Sequence, residues 1–294
     1  MVNERLRPII CLTTHDRIDC AKINQEIIKF NYLQPLNIVH ACSNRDYSGY
    51  IEDLLIRCEP KRLHEGAINL IQRAIKGALE YFDWRYLVHL ESDTWLLDED
   101  VLYKYIALME EDEEKLISTC YWQGDALYFS RFGTKEVLRN PVRLVRKHIG
   151  LLGFRDRKMR DFCTQFFIIK RNPKLIQCIL DIVPDPQKIA EEQVYDAFIK
   201  VFDLKNTLRM KEREPVNPRK RYFCEEMSLY CQHWPTVGTS SDPRPETDPF
   251  HVDEDLIGKK EALLRYPKIR KGRNIQKLLT SSNFDYYNPG AKRY

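Results

Sequence analysis

Apolar positions in the first half of the chain follow two alternating rhythms. Residues 8–13 and 36–42 are short apolar runs bounded by turn residues, which read as buried strands, and 19–30 between them reads as a helix. A polar turn over 43–48 follows the second strand. From 63 to 82, apolar side chains at 67, 68, 70, 71, 74, 75, 78 and 79 keep helical spacing. A third strand ends at Leu90, and an acid-capped helix over 98–109 comes next. Strands separated by helices predict βαβ units, hence a parallel sheet with right-handed crossovers.

The second half is less regular. Residues 116–122 and 126–129 read as strands, 161–170 as a buried strand leading into a helix to about 182, and 191–202 as a further helix. A basic, proline-containing loop over 209–221 precedes a strand candidate at 222–237. Residues 240–249 are polar and proline-rich, the mark of a surface loop or the start of a tail. No internal repeat is visible.

Composition narrows the class. The 294 residues are 43% hydrophobic and 31% charged, as expected of a globular protein, and the formal net charge of +4 is too small to imply nucleic acid. No stretch has the apolar core of a secretory signal or the length of a membrane span, which predicts a cytoplasmic protein. The nine cysteines are scattered without a C-x-x-C pair, so buried thiols are expected rather than zinc ligands or disulfides.

Candidate chemistry concentrates at residues 87–97, where an apolar strand runs into Glu91 and Asp93. Carboxylates at i and i+2 share a face if the strand continues through them, and the carboxyl edge of an open α/β sheet is where ligands bind. Such an oxygen-rich pair suits Mn²⁺ or Mg²⁺. An acidic turn closing a buried strand is the plainer alternative.

These residues resemble the GT-A nucleotide-sugar glycosyltransferases. The opening Ile-Ile-Cys-Leu-Thr-Thr-His-Asp-Arg is similar to that family's first strand and nucleotide-contacting turn. The stretch from His64-Glu-Gly66 to Ala74-Ile-Lys-Gly77 resembles its glycine- and alanine-bearing helix, and Glu91-Ser-Asp93 stands where its acidic motif stands. The first acid is Glu where the family has Asp, which makes Asp93 the stronger metal candidate.

The resemblance implies an α/β fold: a GT-A-like, Rossmann-type, mostly parallel sheet flanked by helices, with an irregular C-terminal extension. It divides the chain into a domain over 1–239 and an extension over 240–294 packed on or near the active site. The domain's nucleotide-binding half would span about 7–130 and its acceptor half about 131–239. The implied activity is transfer of a sugar from a nucleotide diphosphate sugar, UDP preferred, to a hydroxyl on a glycan or similar acceptor. Mn²⁺ or Mg²⁺ would be held by Asp93, Glu91 and His251.

Thr13, Thr14, His15, Arg17, Ser43, Asn44, Gly66, Arg73 and Ser92 are implied to contact the nucleotide, and Trp122, Gln123, Gly124 and Asp125 the donor or acceptor sugar. Glu192, with Glu191 as rival, is the implied general base. Ordinary structure competes for each: turn and cap chemistry for residues 13–19 and 43–44, core packing for Trp122, and the helix dipole for the two acids. Basic stretches allow peripheral contact with an anionic membrane. The alternatives are a nucleotidyltransferase of related fold, against which the glycine-free Thr-Thr-His-Asp-Arg speaks, and a non-catalytic nucleotide- or nucleic-acid-binding protein.

Overall fold

The computed structural model describes residues 7–15, 18–92, 94–96, 99–121, 162–186, 188–210 and 229–230. In chain order the elements are β1 (Ile9–Thr14), α1 (Ile18–Glu26), β2 (Ile38–Cys42), β3 (Leu54–Arg57), α2 (Leu63–Tyr81), β4 (Tyr86–Glu91), β5 (Thr94–Trp95) and α3 (Asp100–Glu111). They continue as β6 (Ile117–Tyr121), β7 (Phe162–Lys170), α4 (Pro173–Leu180), α5 (Ala190–Ile199), β8 (Thr207–Arg209) and β9 (Leu229–Tyr230). Seven strands form one sheet in the order β3-β2-β1-β4-β7-β6-β8, and β5 pairs antiparallel with β9 in a two-stranded ribbon.

β1 is buried along its whole length because it has parallel neighbours on both sides and helices over both faces. One face carries Ile10, Leu12, Val88 and Leu90 against α1, the wider turn after it (Ile27–Asn31) and α3. The other carries Ile9, Cys11, Val39 and Leu87 against α2, α4 and α5. Strict alternation along β1 sends successive side chains into different cores. α4 shows how local chemistry starts a helix here: Asn172 accepts a hydrogen bond from the Leu175 N–H at 3.1 Å, and Pro173 occupies the first turn, where no donor is needed.

Two features depart from the expected alternation. β7 runs antiparallel to β4 and β6, which makes the sheet mixed, and β3 joins β2 in parallel through a loop, 43–53, rather than a helix. β3 is a half-exposed edge strand of four residues, too short and too weakly apolar to stand out. β7 also bulges: Thr119 faces Phe167, but two residues on, Tyr121 faces Phe162, so two steps along β6 match five along β7. The Thr119 hydroxyl, 3.2 Å from the Cys163 carbonyl and 3.3 Å from that of Phe166, closes the bulge.

Among the described residues no helix is long and apolar enough to cross a membrane. Cys11, Cys42 and Cys163 are buried free thiols. The strand expected at 126–129, most of the 209–221 loop and the extension over 240–294 lie outside the described residues; of the strand candidate at 222–237, only residues 229–230 are described.

Candidate active site

The chain runs from β1 outward to β2 and β3, and α2 then carries it back over the sheet to β4 on β1's other side. The strand order thus reverses between β1 and β4, while α1 and α3, which follow these strands, pack on the same face; the crevice at the carboxyl ends of strands at such a reversal is where doubly wound sheets bind ligands. In register, Thr13 lies between Ala41 and Glu91, and Thr14 opposite Cys42. The sequence candidates at 13–15, 43–44 and 91–92 thus meet at one edge.

The hydroxyls of Thr13 and Thr14 point to opposite faces, and each meets a buried imidazole. Thr13 Oγ1 is 3.1 Å from His89 Nε2, and Thr14 Oγ1 is 2.9 Å from His40 Nε2. His89 stacks on Phe167 with ring centroids 4.7 Å apart. Burial drives its pKa down to about 3 against an opposing hydrogen bond with the Thr164 backbone, so the ring is neutral near pH 7. His40 Nδ1 lies 3.1 Å from Gln25 Nε2, and Gln25 Oε1 accepts from the Ile51 N–H at 3.1 Å. That fixes the Gln25 amide, leaves His40 Nδ1 as acceptor, and makes Nε2 the donor to Thr14. Both threonines brace the strand end instead of facing the opening.

The rim is built from the next residues. The exposed His15 places Nδ1 2.8 Å from Ser43 Oγ, and the Ser43 N–H donates to the Thr14 carbonyl at 3.0 Å, tying the two loops together. Asn44 Oδ1 accepts from the Asp46 N–H at 2.9 Å and shapes the turn. Behind this rim, Tyr47 donates to Glu52 at 2.7 Å. Burial alone would raise the Glu52 carboxyl, but the neighbouring His40 ring, the Tyr47 hydroxyl and a backbone N–H outweigh it and hold the pKa at about 2.

Gly66 lies in the first turn of α2, where a Cβ would stand 2.7 Å from the Lys61 carbonyl oxygen; its role is close approach of backbone to backbone. Arg73 lies farther along α2, beside the Cys58 thiol just past β3. The Cys58 N–H in turn donates to the Cys42 carbonyl at 2.9 Å, one residue before Ser43.

The acidic side of the crevice is formed by β4 and β7. Glu91, half-buried, ends β4, and the buried Ser92 donates its N–H to the Thr13 carbonyl at 2.9 Å. Because β7 is antiparallel, its bulged start lies next to the end of β4. Thr164 there donates to Glu191 Oε1 at 3.2 Å. Burial pushes the Cys163 thiol well up, backbone hydrogen bonds oppose this, and the charges of Glu191 and Glu91 add to the rise, so both carboxylates lie near one sulfur. Glu192 instead faces Lys188 at 3.9 Å on the half-exposed side of α5.

Arg17, Asp93, Trp122, Gln123, Gly124, Asp125 and His251 lie outside the described residues. Among the described residues no group of three or more His, Cys, Asp or Glu is gathered for a metal. What the strand ends do provide is carboxylate oxygen, which fits a hard divalent cation. A cavity of about 480 Å³ between α4 and α5, lined by Asp181, Lys188, Gln193 and Asp196 among others, shares no residue with the crevice rim. Sequence reasoning missed His40, His89, Asn24 and Thr164. Each is a polar residue in an apolar run or helix, and only strand register reveals what it touches.

No protein-family model and no curated protein sequence matches the chain. Among solved structures, it is similar to a glycosyltransferase involved in glycosylation of the major capsid of PBCV-1, at 10% identity and a TM-score of 0.40, over 69% of this chain and 82% of that one. It is also similar to a CMP:2-keto-3-deoxy-manno-octonic acid synthetase, at 8% identity and 0.39, over 69% and 90%. The galactosyltransferase LgtC, in complex with donor and acceptor sugar analogs, gives 11% identity and 0.34, over 69% and 73%. The seven-stranded, mostly parallel mixed sheet between two helical layers is an α/β fold of the Rossmann type.

Proposed function

We propose that the protein is a glycosyltransferase that uses a nucleotide diphosphate sugar, with UDP the preferred carrier, and a hydroxyl acceptor on a glycan or similar molecule. The observation that carries this reading is the convergence at the β1–β4 crevice of the His15–Ser43 rim, the Glu91 carboxylate and, across the β7 bulge, the Glu191 carboxylate. The rim offers hydrogen-bonding groups to a nucleoside, and the acidic side offers carboxylates for metal and proton transfer.

Glu91 and Asp93 are the residues that would hold Mn²⁺ or Mg²⁺, with His251 as a third. The bound ion would neutralise charge developing on the departing diphosphate. Glu191, held by Thr164, takes the proton from the acceptor hydroxyl. It replaces Glu192 as the preferred base because the helix turns Glu192 toward Lys188. The test is calorimetric titration of UDP, GDP and CDP with and without Mn²⁺. Metal-dependent binding of UDP is the expected result; tight GDP or CDP binding corrects the carrier, and no binding of any of them removes the reading.

A further inference from the structure

Asn24 on α1 is completely buried, with its amide nitrogen 2.9 Å from the Thr94 carbonyl oxygen and 3.3 Å from that of Glu91. Those two carbonyls bracket position 93. A side-chain amide carries two N–H donors on one nitrogen, so a single residue can satisfy both acceptors. On the opposite side, the Ser92 N–H is held by the Thr13 carbonyl at 2.9 Å. The β4–β5 turn is therefore gripped from β1 and from α1 at once.

The other end of the same amide argues that the grip is what Asn24 is for. Among the described residues, Asn24 Oδ1 is buried with no hydrogen-bond partner, a state that costs free energy and that an apolar side chain of similar volume would avoid. Turning the amide over would set its oxygen against two carbonyl oxygens. Packing alone does not account for an asparagine here; the two donors do.

We propose that Asn24 is a positioning residue for the acidic turn, fixing the backbone at Glu91 and at Thr94, on either side of position 93, so that the Glu91 carboxylate is held for a divalent cation. This role rests on the nucleotide-sugar reading above. Groups that orient metal ligands without touching the metal typically change affinity by about 10- to 100-fold when removed.

The test compares wild type, Asn24→Ala and, as a core control on the other face of the sheet, Ile179→Val. Two readouts are taken: amide hydrogen exchange over residues 91–95, and Mn²⁺ affinity in the presence of UDP, from the free-ion paramagnetic resonance signal. Asn24→Ala is expected to keep native circular dichroism, to exchange at least about tenfold faster in the turn, and to bind Mn²⁺ about 10- to 100-fold more weakly. Ile179→Val should change neither. Turn exchange within about twofold of wild type, or faster exchange with Mn²⁺ affinity unchanged, would overturn the proposal. If Asn24→Ala does not fold, Asn24→Ser, which keeps one donor, is judged by the same limits. Wild type binding neither Mn²⁺ nor any nucleoside diphosphate would remove the glycosyltransferase reading and the cation role together, and the exchange data would then decide alone whether Asn24 holds the turn.

Discussion

At the end of β1, two adjacent threonines meet two buried imidazoles, and that arrangement has a pH signature. His89 has a folded pKa of about 3 against an ordinary 6.5, so the unfolded chain binds this proton first as pH falls. Its contribution to stability is complete above about pH 6.5 and is lost as pH drops toward 3. Glu52, with a folded pKa of about 2 against 4.5, loses its contribution only below about pH 4.5. Thermal unfolding followed from pH 6.5 down to 4.5 should thus show a falling midpoint in wild type and a flatter profile in His89→Gln; identical slopes would mean that His89 is not held neutral. The two glutamates opening α5 make a second residue-scale contrast. Sequence spacing could not choose between them, because both suit a helix start. The choice came from the β7 bulge, which brings Thr164 to Glu191. Glu191→Gln should lower turnover by about 100- to 10,000-fold, and Glu192→Gln by no more than a few-fold. Steady-state kinetics showing the reverse order would return the base to Glu192.

Elements with a strong period were legible in the sequence: β1, β2, α2, β4, α3 and β7 all fall within a few residues of their expected places. Those that escaped were the ones whose signal lies in pairing. β3 is short and half-exposed, β8 is three residues long, and the direction of β7 depends on a connection that carries no pattern of its own. α2 gives an element-scale prediction. Replacing an interior helical glycine by alanine normally stabilises by roughly 1 kcal/mol. At Gly66 the new Cβ would meet the Lys61 backbone oxygen at 2.7 Å, so the start of the helix must shift. Gly66→Ala should therefore destabilise by about 1–3 kcal/mol in denaturant unfolding. Gly77 is different, since its nearest obstacle is the flexible end of Ile56. A stabilised Gly66→Ala would show that α2 can start elsewhere.

For the whole molecule, the sheet order is what turns scattered candidates into one place. Strand periodicity located Glu91 and the β1 loop separately, but only the β1–β4 pairing sets Thr13 beside Glu91, and no spacing along the chain contains that fact. The central claim is that a nucleoside diphosphate binds at this crevice and not in the cavity between α4 and α5. Hydrogen exchange of the full chain with and without UDP and Mn²⁺ tests it most directly. The account predicts new protection at residues 13–15, 43–44 and 90–95, with the segment 178–201 unchanged outside the first turn of α5; protection centred on Cys178 to Lys188, or none at the strand ends despite measured binding, would contradict it.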